Sequence, residues 1–418
     1  MRQLKNLVKF SLLTFMLLSL TGCWDHKELD QKAYVIGIGL DKHEVEGKVK
    51  VTYMIANPEV GSQQSGGGNN EPAQEIITLV ADDFISSRNT ANTVVAKEIS
   101  YDLLRVIIIS EDFARDPNFI RWIYSAAKDR EIKRSTQLIV TKEDAAKFIT
   151  SNKPKLETRP HKFFEFMIER GQETGMIPDT DLNDFYRITE SDADLFLAIY
   201  ATTEKEETGS SKMSDDDLLA GEIHIEGETN DAEFIGSAVF KEGIMIGKIT
   251  GEETRISSLL DETWETEDIR TTFQDPFDDR YRISARISKI RKNHFEFKQK
   301  YGRPIIEIKV PLFIEVLSDP SMINYAKNKK KMLELKGAFT KTIEEKMTQY
   351  IIRTQKEFKG ETFHLSIPIR KEFGTLQEFR DFDWMKSYPD AEVKVNVDIR
   401  FGEFGRQTKL PKLEEVRD

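Results

Sequence analysis

Ile306-Glu307-Ile308-Lys309-Val310-Pro311-Leu312-Phe313-Ile314-Glu315-Val316 alternates buried-type side chains with charged or outward ones along its whole length. A period of two is that of a strand with one covered face. Pro311 has no amide to give a neighbouring strand, which predicts an edge position or a bulge there. Downstream, Met332, Leu335, Phe339, Ile343, Met347, Tyr350 and Ile351 recur at steps of three and four. That is the apolar stripe of one long helix, from about Asn328 to Glu357. Val393, Val395, Val397, Ile399 and Phe401 then alternate with Lys394, Asn396, Asp398 and Arg400 as a second half-buried strand. A long helix packed on a C-terminal antiparallel sheet is the economical arrangement of these pieces.

Upstream the order of elements is less regular. Val35–Leu40, Val49–Ala56, Ile76–Val80, Leu103–Ile109, Gln137–Thr141 and Asp194–Ala201 read as strands. Phe84–Ile99, a stretch opening at Pro117, Glu143–Ile149, and a segment carrying Phe163, Phe164, Met167 and Ile168 that ends before Gly171 read as helices. No steady βαβα repeat emerges, so the class predicted is α+β, with mixed or antiparallel sheets flanked by helices. Two polar breaks, Thr202–Asp217 and Glu265–Asp279, divide the body into three expected domains: 23–204, a small middle domain 205–275, and 276–418 with a polar tail. Asn57–Pro72, centred on Gly66-Gly67-Gly68, buries too little apolar area to offset its ordering entropy. That loop and the tail from Gly402 onward are expected to be dispensable for folding.

The chain has 418 residues, 61 Lys+Arg against 72 Asp+Glu, and one cysteine. A single thiol excludes a disulfide framework, a CxxC redox pair and a cysteine zinc cluster. The net charge of −11 argues against a protein that tracks nucleic-acid phosphates. The lone cysteine sits where a bacterial lipobox would place it. Arg2, Lys5 and Lys9 form a basic leader, Phe10–Leu20 is an uncharged apolar stretch about half the length of a membrane-crossing helix, and Leu20-Thr21-Gly22-Cys23 follows. Residues 1–22 therefore read as a lipoprotein signal peptide. A thiol can be alkylated by a diacylglyceryl group, and small residues before it admit the peptidase. Removal of the leader takes three basic residues and leaves a net charge of −14 on the mature body. Two or more acyl chains on Cys23 hold a protein on a membrane where one would be marginal. The expected location is the outer face of the cell membrane, by a lipid anchor and not by a span.

Cys23-Trp24-Asp25-His26-Lys27-Glu28-Leu29 follows the lipobox, and Tyr34-Val35-Ile36-Gly37-Ile38-Gly39-Leu40-Asp41 is a strand ending Gly-x-Asp. Phe234-Ile235-Gly236-Ser237-Ala238-Val239-Phe240-Lys241 continues through Met245-Ile246-Gly247 to Glu253-Thr254-Arg255, and Trp384 precedes the last strand. In order and spacing this resembles the Ger(x)C family, the lipoprotein C subunits of nutrient germinant receptors in endospore-forming bacteria. The family-motif residues would be Trp24, Asp25, Glu28, Leu29, Gly236, Val239 and Phe240, with Cys23 as the lipidation site. The resemblance implies a non-catalytic subunit acting with A and B integral membrane partners at the inner membrane of the spore, in response to small nutrients. Each residue also has a plainer reading: Trp24 as an interfacial aromatic, Asp25 as a helix cap, Gly236 as a strand glycine in a tight contact.

No catalytic motif stands out. His26, His43, His161, His224, His294 and His364 are scattered without metal-ligand spacing, there is no GxSxG elbow, and the glycine loop lacks a following GK[ST]. Asp215-Asp216-Asp217 lacks the register of a calcium loop. No cofactor, metal or nucleic acid is expected beyond the lipid on Cys23. Two other classes remain open from the residues alone. A lipid-anchored solute-binding protein of a transporter predicts two parallel-sheet lobes around a cleft, and a membrane-tethered cell-wall enzyme predicts paired carboxylates in one.

Overall fold

A computed structural model describes residue 6 and residues 31–56, 74–191, 193–206, 216–262, 268–289, 291–325, 327–402 and 404. Two sheets organise these residues, and the class is the α+β expected.

The first sheet has nine strands. Eight follow the spatial order β3-β2-β1-β5-β6-β7-β8-β9, and β4 pairs with β1 off that path. These are β1 Lys32–Lys42, β2 Val49–Ala56, β3 Gln74–Ala81, β4 Glu98–Ser100, β5 Val106–Ser110, β6 Gln137–Thr141, β7 Phe196–Thr202, β8 Glu233–Lys241 and β9 Ile244–Ile249. Its centre is parallel: β1, β5, β6 and β7 pair in one direction, with antiparallel strands outside them. The uneven spacing of elements hid this core of crossover units. Helices cover both faces. α1 Ser87–Ala91, α2 Glu111–Ala114, α3 Phe119–Ala126 and α6 Leu182–Ser191 bury Ala91, Phe113, Phe119, Ile123, Phe185 and Tyr186 on one side. α4 Ala145–Ser151 and α5 Pro160–Glu173 bury Phe148, Ile149, Phe163 and Phe164 on the other. A strand covered on both faces should be apolar throughout, and β5, Val-Ile-Ile-Ile-Ser, is buried at every position.

Local differences from the sequence reading have tertiary causes. Phe84–Ile99 is not one helix: only Ser87–Ala91 is helical, because Ile99 is drawn into a parallel pair with Ala33. α5 runs through Gly171 to Glu173, and the absent side chain there leaves room for Ile177, which a Cβ would meet at 2.6 Å. α6 is absent from the sequence reading, although Leu182, Phe185 and Tyr186 fall at helical steps of three and four.

The second sheet has order β10-β11-β13-β12, with β14 on the far side of β13. Its strands are β10 Ile269–Gln274, β11 Arg282–Lys289, β12 His294–Lys300, β13 Arg303–Ser318 and β14 Glu392–Phe401. β13 is its central strand. Pro311 is therefore not at an edge; it lies where β13 passes from pairing with β12 (last pair Lys309–His294) to pairing with β11 (first pair Leu312–Lys289). A residue with no amide falls in the gap between two partners. The helix α8, Lys329–Arg353, buries Leu335, Phe339, Ile343 and Met347, and the chain after it returns β14 parallel to β13. The sheet is consequently mixed, where an antiparallel one was expected, because a helical crossover carries the chain back to the end at which β13 began.

The middle segment divides between these sheets. β8 and β9 extend the first, β10 joins the second, and the helix between them, α7 Gly251–Leu260, has eight buried residues out of ten. A two-stranded hairpin alone is marginally stable, and here each strand finds a larger sheet. The tail also enters the fold: the Gly402 amide donates to the Ile314 carbonyl at 2.9 Å, and the Phe404 ring stacks 5.4 Å from Tyr325. Gly402 and Phe404 thus contact the C-terminal core, contrary to the expectation that everything from Gly402 could be lost.

Candidate functional site at the junction of the two sheets

Among the described residues, a set of buried polar contacts surrounds α7, within the sequence segment that carries the central motif. Leu20, Thr21, Gly22, Cys23, Trp24, Asp25, Glu28 and Leu29 lie outside the described residues, as do Asp215 and the glycine loop.

β8 enters the junction through a bulge. Phe234 pairs with Ala201 and Ser237 with Ile199, so Ile235 and Gly236 together face Tyr200. Gly236 has φ +85°, and a Cβ there would lie 2.5 Å from the Ile249 carbonyl oxygen. Its amide leaves the ladder and donates to the Met176 carbonyl at 2.8 Å. Only glycine meets both demands. Beyond the bulge, alternation sends Val239 and Phe240 to opposite faces. Val239 joins the core shared with the second sheet, and the Phe240 ring lies 6.0 Å from those of Phe119, Phe185 and Phe196. The three motif residues of β8 are all inside the protein.

α7 begins with a capping box. The Glu253 amide donates to Thr250 Oγ1 at 3.3 Å, and the Thr250 amide donates to Glu253 Oε2 at 3.1 Å. The same Glu253 forms an ion pair with Arg353, and Glu252 with Lys346, both on α8. Arg255 is buried and reaches three segments. Its Nε donates to the Thr174 carbonyl at 2.9 Å, and Nη1 to Asp216 Oδ2 at 2.7 Å and to the Arg270 carbonyl at 2.9 Å. At the far end, Asn293 Nδ2 donates to the last carbonyls of α7, Leu259 and Leu260, both at 2.9 Å.

Beside α7 lies a buried acid cluster joining the segment before β7 to the one after α8. The Leu195 amide donates to the Glu361 carbonyl at 2.7 Å, and Ser366 Oγ donates to Asp194 Oδ2 at 2.6 Å. Phe363 N and Trp384 Nε1 donate to the two Glu361 carboxyl oxygens, at 2.8 and 3.3 Å. Burial, and then the charge of Asp194, push the Glu361 carboxyl well above the usual carboxylate range. His364 Nδ1 lies 2.5 Å from Asp261 Oδ2. Burial works to lower its pKa, but the bond to Asp261 and the charges of Asp261 and Asp194 outweigh burial and raise it.

Chemically, these contacts join α7 to the elements on either side of it. The cavity against Arg255, Glu252, Phe273, Ile343 and Met347 has a volume of about 40 Å³, room for roughly one water. No group of three or more His, Cys, Asp or Glu that could hold a metal occurs among the described residues. Arg255 lay inside a motif read in the sequence; Asp194 and Glu361, 167 positions apart, carried no spacing signal that would have paired them.

Residues 25–202 match the spore germination protein N-terminal domain, and residues 235–405 match the family described as spore germination B3/GerAC like, C-terminal. The chain belongs to the Ger(x)C family of spore germination proteins. It is 22% identical to spore germination protein B3 of Bacillus subtilis (strain 168), over 96% of this chain and 99% of that protein. It is 25% identical to spore germination protein KC of the same organism, over 34% of this chain and 36% of the relative. The crystal structure of the GerBC protein superposes with a TM-score of 0.52 at 17% identity, covering 90% of this chain and 99% of that one. That likeness establishes a shared fold. The two family matches meet at the junction, the first ending with β7 and the second opening one residue before Gly236.

Proposed function

We propose that this chain is the non-catalytic, lipid-anchored C subunit of a spore nutrient germinant receptor, working with A and B integral membrane subunits at the inner membrane of the spore. The observation that carries the reading is the junction. The two family segments occur in order, and the charged residues of the central one, Glu252, Glu253 and Arg255, tie α7 to α8 and β10 of the second sheet. Diacylglyceryl and N-acyl chains on Cys23 would hold the body beside its partners and make docking effectively intramolecular. The acidic body would be repelled by anionic headgroups and stand off the surface.

Deleting the gene in its host and following dipicolinic acid release over a panel of nutrients tests this. Loss of response to one nutrient class, with normal growth and sporulation, is expected. An unchanged response to every nutrient, or a growth defect on a single solute, would overturn it, the second in favour of a transporter role.

A further inference from the structure

The two sheets expose several long strand edges, and among the described residues all but one are met by a blunting contact or charge. At β9 the Lys248 carbonyl accepts from Arg353 Nη2 at 3.1 Å, and Phe358 packs on Gly247. At β10 the Arg270 carbonyl accepts from buried Arg255. At β14 the Val397 amide donates to Glu344 Oε1 at 2.8 Å. β12 carries Lys298 and Lys300 on an exposed strand. Covering, capping and edge lysines are the usual means of preventing strand addition.

Among the described residues β3 meets none of these. Gln74-Glu75-Ile76-Ile77-Thr78-Leu79-Val80-Ala81 has a single charge and no proline, glycine or lysine, and its register with β2 is unbroken over all eight residues. No position in it is buried, and Val80 is 48% exposed. Among the described residues no backbone group bonds its outer side.

We propose that β3 is a docking edge for the β3 of a second copy of this chain, the two strands pairing antiparallel about Thr78. The strand is complementary to itself in that register: Ile77 meets Leu79, Ile76 meets Val80, and Glu75 meets Ala81. Opposed residues share a face, so apolar meets apolar on both sides of the joined sheet. The two Glu75 carboxylates fall at opposite ends, about 20 Å apart by strand rise and beyond the ~8–10 Å screening length. The contact is small for a free dimer in solution, and a shared membrane supplies the local concentration. To that extent the pairing rests on the lipid-anchored reading above.

The test is oxidative cross-linking of Thr78→Cys in the full chain in host membranes. Paired residues of antiparallel strands have Cα atoms about 4.5–5.5 Å apart, within disulfide range. Thr78→Cys should give a homodimer several-fold above an exposed control, Val94→Cys, and adding Val80→Lys, a surface change that spares the fold, should cut the yield at least tenfold. Dimer no higher than the control would overturn the proposal. So would a cross-link to a protein of different mass. Shielding of the Thr78→Cys thiol from a thiol reagent without dimer would overturn it too, since another segment of the chain would then cover the edge. The wild-type chain separates the two readings. Its recovery outside the membrane fraction would sink the anchor alone, and the Thr78→Cys yield measured there would still decide the pairing.

Discussion

Asp41 closes β1 and at the same time caps a helix 104 residues later in the chain. Its Oδ1 accepts from the Ala145 amide at 2.7 Å and its Oδ2 from Ala146 at 3.0 Å, satisfying the first turn of α4. Asp144, the residue in the cap position itself, makes no such bond. Asp41→Ala should therefore cost about 1–2 kcal/mol, the range of a lost N-cap, read as a lower urea midpoint with an unchanged m-value. Glu361 gives a pH signature. Its folded pKa is raised, so the folded protein holds a proton that the unfolded chain releases. Stability is complete below the ordinary Glu value near 4.5 and falls as pH rises through the raised value. Glu361→Gln keeps the shape and removes the titration. The variant should gain on the wild type in urea midpoints as pH rises above the ordinary Glu value, and parallel curves for the two proteins would refute the raised pKa.

At the scale of elements, α7 is the piece that needs both sheets. Isolated, Gly-Glu-Glu-Thr-Arg-Ile-Ser-Ser-Leu-Leu has no strong amphipathic stripe, and its burial is decided by what closes over it from either side. Arg255 is its most exacting member, since it and Asp216 are each about 5% exposed. Removing one member of a buried pair takes a counter-charge and a hydrogen bond from the other. Arg255→Met should destabilise by about 3–5 kcal/mol in thermal or urea unfolding. A loss under 1 kcal/mol would mean that water reaches the pair. The same logic explains which elements were legible. β13, α8 and β14 announce themselves because each buries one face and the period shows it. The Phe84–Ile99 stretch misled because a long-range strand pair, Ala33 with Ile99, outranks local helical preference.

Across the whole molecule, ties from α7 and Glu361 hold the first sheet to the second, while the proposed lipid would hold both to a membrane. Cys23→Ala separates these roles. It should abolish incorporation of labelled fatty acid and weaken nutrient germination, and leave the unfolding midpoint of the body unchanged. Normal germination by the unlipidated protein would sink the anchoring proposal. The order of the two family segments along the chain was visible in the sequence, yet their assembly was not: a middle domain bounded by polar breaks turned out to be strands lent to two different sheets.

By itself the sequence determined what depends on neighbours along the chain: the half-buried strands with period two, the long helix with its three- and four-residue steps, the lone cysteine behind an apolar leader, and the motifs by which the family is known. Each is a local pattern written by local geometry. Tertiary structure alone decided the parallel direction of the central strands and of β14, the use of Asp41 as a remote cap, the meeting of Asp194 with Glu361, and the open edge of β3. Those depend on which distant segments are brought together when apolar faces are buried, and the hydrophobic driving force, being non-directional, leaves no mark of partner identity in the residues it buries.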